Sequence, residues 1–337
     1  MTTYFVTGGE GFIGYHLCTE LLKNQENIVI SYDVLKHVIP LTESNWCFYQ
    51  NYRVKCLQNS RLIRVRGDVN SRGLLKETLE KYRPEIMFHL AGLSIANVSH
   101  THPEEAFHDL FMATMTLIDV IRNLSYKINR FIYISSSMVY GDFKRDSLGS
   151  ILPAVESWEC NPKCIYGGMK LCGETLVKVY NQRFGLPFVI IRPSAVYGPT
   201  DSNRRVTELF LMDSLTGGEF VLDNGGLHQL DFTYVKDLIQ GLILASTSKK
   251  ALGQTFNITR GEGRTIKELA EILMKLNPDP GCKLVIKNVS VYRPNRGTLN
   301  ISKAKNLLGY EPKYSLEDGM KEYIEFVKST LLNSNKR

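Results

Sequence analysis

Tyr166 and Lys170 stand four residues apart, a spacing that suits a tyrosine to acid–base chemistry. They fall in a helical stretch, where residues four apart share one face. A free tyrosine titrates at about pH 10, too high for a base at neutral pH. The ammonium of Lys170 favours the phenolate, so we expect it to bring Tyr166 toward the range of a general base. Another pair with this spacing, Tyr32 and Lys36, straddles the end of a predicted strand and cannot act as a unit.

A glycine-rich turn, TGGEGFIG, follows the first apolar run and opens the first helical pattern. Its glycines, Gly8, Gly11 and Gly14, suit a tight turn whose backbone can approach a pyrophosphate at a helix N-terminus. Asp33 lies 19 residues after Gly14, at the end of the next apolar run. A carboxylate there accepts hydrogen bonds from ribose hydroxyls and repels a 2′-phosphate, which predicts NAD rather than NADP. Two basic residues just beyond it soften that preference, Lys36 and His37.

The elements that must position these residues are short apolar runs alternating with amphipathic helical patterns. This alternation predicts an α/β protein, with a Rossmann-type, doubly wound parallel sheet covered on both faces. The predicted strands are 3–7, 28–33, 62–66, 85–90, 130–135 and 187–192.

Helix-capping patterns dominate the chain beyond about residue 200. We expect N-caps at Thr265 with Glu268, at Ser302, and at Ser315 with Asp318, and a helix end at Gly309. We therefore predict an NAD-binding domain over 1–195, with a return of the chain around 228–258. A smaller, mixed α/β substrate-binding region would lie mostly within 196–330. No linker rich in proline or serine separates the parts, so we expect them to interleave.

Composition excludes several classes of function. The chain has 337 residues and a net charge of +7, with its basic residues dispersed, so we expect no nucleic-acid partner. No apolar run reaches the roughly 20 residues that span a membrane, and the N-terminus does not read as a signal peptide. The seven cysteines are scattered, and Cys160, Cys164 and Cys172 lack paired spacing. We expect reduced thiols, no metal site and a cytoplasmic protein.

Six motifs occur in the order typical of one family. They are TGGEGFIG, GDV at 67–69, HLAG at 89–92, SSSMVYG at 135–141, YGGMK at 166–170 and RPSAVYGP at 192–199. The chain resembles the extended short-chain dehydrogenase/reductases, and more narrowly their NAD-dependent epimerase/dehydratase family, whose known members mostly act on nucleotide sugars. The resemblance runs nearly end to end.

The resemblance implies roles for particular residues. The catalytic residues would be Ser136, Tyr166 and Lys170, with NAD held by Gly8, Gly11, Phe12, Ile13, Gly14, Asp33, Asp68, Val69, Leu90, Ala91, Gly92, Tyr166 and Lys170. The nucleotide-sugar substrate would contact Ser136, Ser137, Tyr166, Arg204, Arg205 and Arg293.

The residues after the catalytic serine bear on the reaction class. The family's 4,6-dehydratases carry an acid one or two positions beyond it, where this chain has Ser137 and Met138. Dehydration and decarboxylation are therefore disfavoured, and we expect a C4 epimerase working through a 4-keto intermediate. A keto-sugar reductase or dehydrogenase is the main alternative, and a catalytically silent NAD-binding protein is a third.

Four positions depart from the family pattern. Leu110 and Ala113 replace an Asn and a Gly, and Ala195 and Leu230 replace an Asn and an Arg that typically help to hold the substrate's pyrophosphate. Neighbouring arginines offer replacements with suitable geometry for phosphate, namely Arg204, Arg205, Arg293 and Arg296.

The family forms dimers by pairing two helices of each subunit, and the matching segments here are 104–123 and 166–184. The first has one apolar stripe at Phe107, Phe111, Met115 and Ile118 and a second at Leu110, Thr114 and Leu117. A helix that covers one sheet needs a single apolar face. Because this segment is apolar over more than one face, we expect the additional face to be buried against a second subunit in a homodimer. A helix sunk in its own monomer is the alternative. We also expect Gly167 and Gly168 to keep the second segment thin where a dinucleotide or partner subunit approaches.

Overall fold

The central feature of the molecule is a parallel sheet. A computed structural model describes residues 1–35, 45–278, 281–290 and 292–331. Its strands are β1 (Thr3–Thr7), β2 (Ile28–Asp33), β3 (Leu62–Arg66), β4 (Ile86–His89), β5 (Arg130–Ile134), β6 (Phe188–Arg192), β7 (Val196–Tyr197), β8 (Glu219–Asp223), β9 (Gln229–Asp231), β10 (Thr233–Tyr234), β11 (Gln254–Asn257), β12 (Gly263–Thr265) and β13 (Lys283–Lys287).

The helices follow the strands in alternation up to β6. They are α1 (Phe12–Leu21), α2 (Trp46–Cys56), α3 (Arg72–Tyr82), α4 (Ala96–Thr101), α5 (Pro103–Ala106), α6 (Ala113–Arg122), α7 (Ile165–Phe184), α8 (Val206–Thr216), α9 (Val235–Thr247), α10 (Ile266–Leu276), α11 (Ser302–Leu308) and α12 (Leu316–Ser329). None of the helices in the described ranges is long and apolar enough to cross a lipid bilayer.

Seven of the described strands form one parallel sheet in the order β11-β6-β5-β4-β1-β2-β3. Helices cover both faces. One core packs α1, α9 and α11 against the sheet, with Leu17, Leu242 and Leu308 buried. The other packs α3, α6 and α7, with Leu79 and Leu117 buried. The predicted doubly wound fold is confirmed, and the predicted strand ends differ from the observed ones by at most one residue.

The strand order reverses at β1, which pairs with β2 on one side and β4 on the other. In open parallel sheets, ligands bind in the crevice beyond the carboxyl ends of the strands at such a point. The residues that follow β1, β2 and β4 therefore lie where a ligand is expected to bind.

The C-terminal part of the chain has its own apolar core. Helices α8, α10 and α12 bury Phe210, Leu273 and Tyr323 around β8 and β10. Between β6 and α10 the chain returns once to the main sheet, where β11 pairs with β6. The division into domains at residue 195 stays a prediction.

The helix ends predicted at Thr265 and Gly309 are confirmed, whereas the one at Ser302 is not. Thr265 and Glu268 form a reciprocal capping box, and Gly309 ends α11 with a φ of 69°. The Ser302 prediction is wrong, because Ser302 is the first helical residue and its backbone N–H donates to Oδ1 of Asn300. Ile301 is the N-cap residue and has no side-chain cap.

The segment 104–123 is not one regular helix. Residues Phe107–Met112 form a π-helical turn between α5 and α6. Leu110 lies inside the monomer, 1% exposed, and a methyl group built on Gly92 would come within 2.8 Å of its Cδ2. Ile118 is also fully buried. The outward apolar stripe is therefore narrower than the sequence suggested, because Leu110 and Ile118 face the protein's own core.

Candidate active site

A cleft of about 1580 Å³ opens at the carboxyl edge of the sheet, beside β1 and β4. Every residue that the sequence assigned to catalysis, cofactor or substrate lies on its wall. The structure thus brings these residues together, while their individual roles stay predictions.

The glycine turn after β1 forms a close-packed cradle. A methyl group on Gly14 would lie 2.0 Å from the carbonyl oxygen of Gly8, so only glycine lets α1 pack this tightly. Gly8 adopts a φ of +69°, in the left-handed region that favours glycine. Because α1 begins beside this turn with no side-chain cap, its first N–H groups are available to an anion. These residues fit the pyrophosphate of a dinucleotide.

Asp33 stands at the end of β2 with its carboxylate fixed in place. Its Oδ2 accepts a hydrogen bond from the N–H of Glu10 at 3.0 Å, and its Oδ1 accepts from the N–H of Leu35 at 2.8 Å. Burial raises the pKa of Asp33, and the two backbone bonds and the positive charge of Arg53 partly offset that effect. The anchored carboxylate fits the position that a ribose hydroxyl would need.

Arg53 is a residue of the cleft wall that the sequence did not reveal. It comes from α2, is 3% exposed, and donates from Nη1 to the carbonyl of Thr200 at 2.9 Å. Burial lowers the pKa of Arg53 to about 10, and Asp33 favours its charged form. It therefore joins the Asp33 end of the cleft to the loop before α8. No motif surrounds Arg53, so only its tertiary contacts identify it.

Tyr166 and Lys170 lie one turn apart on α7 and face the end of β5. The Lys170 ammonium is 5.9 Å from the centre of the Tyr166 ring and donates to the carbonyl of Ile134 at 2.8 Å. Ser136 follows that strand, and its Oγ accepts a hydrogen bond from the N–H of Met138 at 3.1 Å. Because that bond uses a lone pair, the Ser136 hydroxyl proton remains available to donate.

The electrostatics of Tyr166 differ from the sequence expectation. Burial raises the pKa of Tyr166, and the neighbours that lower it are Arg205 first and then the hydrogen bond with Ser136. Burial also lowers the pKa of Lys170 to about 8. Desolvation thus outweighs the interactions that favour the phenolate, and Arg205 is the cation that opposes desolvation most. The contribution of Lys170 to the pKa of Tyr166 stays a prediction.

Three arginines converge on the substrate side of the cleft. Arg205 donates to the carbonyls of Val196 and Ser94, at 3.1 and 3.0 Å, and Arg293 pairs with Asp223. The Nε of Arg296 is buried and has no hydrogen-bond partner in the described part of the chain. Burial lowers the pKa of Arg296 to about 10, and repulsion from Arg205 and Arg293 adds to this. Adjacent guanidinium groups that repel one another suit an anion, whose charge would offset their repulsion.

The backbone around Arg204 is strained, and its N–H donates to the buried carboxylate of Glu208 at 2.7 Å. Arg204, Thr200 and Ala195 all have positive φ, of 50°, 71° and 38°. Asparagine tolerates this conformation better than alanine, which gives a physical reason for the family's Asn at position 195.

The Leu230 position is apolar for a structural reason. Leu230 is 8% exposed and packs in the C-terminal core, with Arg264 opposite it on β12. Two residues earlier, His228 lines the cleft, and burial and the nearby Arg296 and Arg293 lower its pKa to about 4. A neutral imidazole thus lies beside the arginines, and no sequence motif predicted that His228 would be part of the site.

Two segments distant in sequence, 142–154 and 292–300, are hydrogen-bonded to each other and line one side of the cleft; we call this pair of segments the arch. Asp142 accepts from the N–H of Asn295 at 2.8 Å and from the hydroxyl of Tyr292 at 2.6 Å. The N–H of Ala154 donates to the carbonyl of Thr298 at 3.0 Å. The arch carries Arg293 and Arg296, so it ties the anion site to the segment that follows Ser136.

The two adjacent glycines of α7 have different environments. A methyl group on Gly167 would lie 2.6 Å from the carbonyl oxygen of Met138, whereas one on Gly168 would meet nothing within 4 Å in the described structure. Gly167 is therefore required by a contact within the monomer. The expectation of a thin surface for a cofactor or partner now applies to Gly168 alone.

Alanine substitutions should separate the two glycines. Gly168→Ala should raise the free energy of unfolding by up to about 1 kcal/mol, because alanine has the higher helix propensity. Gly167→Ala should lower it, since the loop after Ser136 must move away from the new methyl group. Chemical denaturation of both variants measures the difference, and equal stability of the two would contradict this account.

Metal ligation finds no support in the described ranges, where no group of His, Cys, Asp and Glu side chains could hold an ion. All seven cysteines are free thiols. The Cys164 Sγ instead accepts a hydrogen bond from the N–H of Gly167 at 3.3 Å and caps α7.

Together, a doubly wound sheet, a glycine cradle and a Tyr–Lys helix in one cleft define a dinucleotide-dependent enzyme of the short-chain dehydrogenase/reductase type. The model of the NAD-dependent epimerase/dehydratase family matches residues 4–259. The chain therefore belongs to that family, as its motifs predicted, and NAD is the cofactor of the family.

Individual relatives match over nearly the whole chain. The uncharacterized UDP-glucose epimerase YtcB of Bacillus subtilis is 30% identical over 96% of this chain and 97% of its own length. A dTDP-glucose 4,6-dehydratase of Haemophilus influenzae is 25% identical, with 97% and 98% covered. The crystal structure of UDP-glucuronic acid 4-epimerase from Bacillus cereus, in complex with UDP-glucuronic acid and NAD, is 28% identical with a TM-score of 0.87, covering 97% of this chain and 99% of that one.

Proposed function

We propose that this protein is an NAD-dependent nucleotide-sugar epimerase that inverts C4 through a bound 4-keto intermediate. The observation that carries the proposal is that Ser136, Tyr166 and Lys170 lie in one cleft. The two residues after Ser136 in the sequence are Ser137 and Met138, and neither is an acid. The first three residues suit oxidation of a sugar hydroxyl. The next two cannot protonate a departing hydroxyl, so the keto sugar keeps all its substituents.

Proton transfer is the work of Tyr166 and Ser136. The Tyr166 phenolate would take the proton of the C4 hydroxyl and later return it. The Ser136 hydroxyl would donate a hydrogen bond to the same oxygen and share its developing charge. The Arg205 cation favours the phenolate that this step needs.

Lys170 and the glycine cradle would hold the cofactor. Bound NAD supplies a hydride acceptor, and the reduced form supplies the same hydride again. The Gly8–Gly14 turn would bind its pyrophosphate, Asp33 its adenosine ribose, and Lys170 the nicotinamide ribose. Rotation of the keto sugar within the cleft would then turn its opposite face toward the cofactor. Return of the hydride to that face would give the C4 epimer.

The substrate is a nucleoside diphosphate sugar, a class that contains the UDP-glucuronic acid and UDP-glucose named for the neighbours. Its pyrophosphate matches the anion site formed by Arg205, Arg293 and Arg296. These three arginines would replace the phosphate contacts that the family takes from the Asn and Arg absent at 195 and 230.

The test is incubation of the purified protein with a panel that includes UDP-glucuronic acid and UDP-glucose, without added NADH. We expect conversion to the C4 epimer with unchanged mass, seen by NMR and mass spectrometry. Loss of water would indicate a dehydratase. Turnover only with stoichiometric NADH would establish the reductase alternative and overturn the proposal.

Cofactor choice is the second quantity that the structure makes testable. The anchored carboxylate of Asp33 repels a 2′-phosphate, so we expect NAD to bind at least about tenfold more tightly than NADP. Isothermal titration with each dinucleotide measures this, and Asp33→Asn should narrow the ratio. Equal affinity for the two would refute the role of Asp33. Lys36 and His37, which the sequence placed beside it, lie outside the described residues.

A homodimer is part of the same proposal. Phe107 is 40% exposed and contacts Phe111, with ring centres 5.3 Å apart, while Val179 and Phe184 of α7 are 48% and 47% exposed. Apolar groups on both segments favour burial against a second copy. Light scattering should give about twice the 38.3 kDa chain mass at micromolar concentration, whereas an active monomer would contradict the pairing. A cytoplasmic location, expected from the sequence, belongs to the proposal as well.

A further inference from the structure

The face of α7 that carries Tyr166 and Lys170 continues one turn further to a buried carboxylate. Glu174 is 0% exposed, four residues after Lys170. Its Oε1 accepts a hydrogen bond from the hydroxyl of Ser135 at 2.6 Å. Three residues of α7 spaced by four thus face three consecutive residues at the end of β5. Lys170 binds the Ile134 carbonyl, Glu174 binds the Ser135 hydroxyl, and Tyr166 interacts with Ser136.

Arg192 anchors the carboxylate from the neighbouring strand. Its Nε and Nη2 donate to Glu174 at 2.8 and 2.7 Å, and the arginine itself is 2% exposed. Its Nη1 donates to the carbonyl of Glu156 at 3.2 Å, and its guanidinium stacks on Tyr140 at 4.8 Å. A bidentate buried pair of this kind holds its geometry closely. Ser135 is therefore bonded to a carboxylate that cannot easily move.

We propose that Ser135 and Glu174 form a positioning pair for the reaction, in which the anchored carboxylate holds the backbone of Ser135 so that the next residue, Ser136, stays in register with Tyr166. This inference rests on the proposed function. Glu174 is fully buried and does not line the cleft, whereas Ser135 lies on its wall beside Ser136. Their effect passes through Ser136, whose hydrogen bond is one of the interactions that lower the pKa of Tyr166.

The variant that tests the pair is Ser135→Ala, which removes the bond to Glu174 and leaves the Glu174–Arg192 pair intact. Misplacement of a catalytic group by a fraction of an ångström costs tenfold or more, so we expect kcat to fall by about tenfold to a hundredfold with KM little changed. Ser135→Thr retains a hydroxyl and should restore most of the rate. Ser246→Ala is the matched control, a buried serine of α9 that donates to the Ile243 carbonyl and should have wild-type kcat.

A second measurement needs no substrate. NMR titration of isotope-labelled tyrosine should show a higher pKa for Tyr166 in Ser135→Ala than in the wild type or Ser135→Thr, because the Ser136 bond that lowers it is lost. The other titratable groups around Tyr166 are Arg205 from the loop before α8, Tyr133 on β5, Cys164 at the N-cap of α7 and Lys170 on α7, and none of them is altered.

The two measurements distinguish the possible failures. An unchanged Tyr166 pKa and unchanged kcat in Ser135→Ala would overturn the positioning pair, as would equal losses in the alanine and threonine variants. If the wild type inverts no nucleotide sugar, the proposed function fails, and the NMR titration still decides whether Ser135 controls Ser136. Thermal unfolding of Ser135→Ala close to that of Ser246→Ala excludes a general loss of structure.

Discussion

Tyr166→Phe should retain the fold and the cofactor and lose at least about a hundredfold in turnover, the usual scale of general acid–base catalysis. Phenylalanine fills the same volume, so the packing of α7 is preserved. What is lost is the hydroxyl, which the mechanism needs both as proton acceptor from the sugar and as proton donor to it. The measurement is kcat for C4 inversion, together with the Kd for NAD from titration calorimetry.

The same helix provides the control for this prediction. Tyr180 lies on α7 outside the cleft wall, and its hydroxyl contacts Asp119 at 3.4 Å. Tyr180→Phe should therefore have a kcat close to that of the wild type. Normal turnover in Tyr166→Phe would remove the tyrosine from the mechanism outright.

Lys170→Met should lower turnover and also weaken NAD binding by about tenfold to a hundredfold, since a hydrogen bond to a charged donor contributes about 1.5–3 kcal/mol and about 1.4 kcal/mol is tenfold. Lys170 is 7% exposed, and its Nζ already donates to the Ile134 carbonyl, so methionine removes a charge and an anchor together. Lys76→Met on the exposed surface of α3 is the control and should leave both values unchanged. Undiminished NAD affinity in Lys170→Met would exclude a contact between Lys170 and the cofactor.

The pH dependence of the wild type adds a second signature. Burial lowers the pKa of Lys170 to about 8, so the side chain is charged below that pH and loses its proton as the pH rises through it. Wild-type kcat should consequently decline above about pH 8, and the Lys170→Met variant should lack this limb. A wild-type profile that is flat through this range would show that the charge of Lys170 does not control the rate.

Features built from neighbouring residues were readable in the sequence. Short, fixed spacings along the sequence define the glycine turn, Asp33 at the end of a strand and the Tyr–Lys pair, so these features can be recognised without the fold. The capping box at Thr265 and the end of α11 at Gly309 are local in the same sense.

Features made by contacts between distant segments were not readable. Arg53 lies in a helix without any motif and becomes part of the cleft only because α2 packs beside Thr200. The burial of Leu110 inside the monomer was not readable either, because the π-helical turn and the proximity of Gly92 exist only in the folded molecule. The raised pKa of Tyr166 was not readable for a related reason, since desolvation depends on everything that surrounds the ring.

The arch also joins parts of the chain that are synthesised far apart in time. Asp142 and Asn295 are 153 positions apart, and edge strand β11 joins the sheet only after the excursion that follows β6. Contacts this distant form late, because the intervening chain must first be made and its loop-closure entropy overcome. The residues of the arch at 292–300 leave the ribosome after every residue assigned to the dinucleotide, so the part of the cleft that would hold the sugar nucleotide is the last to be completed.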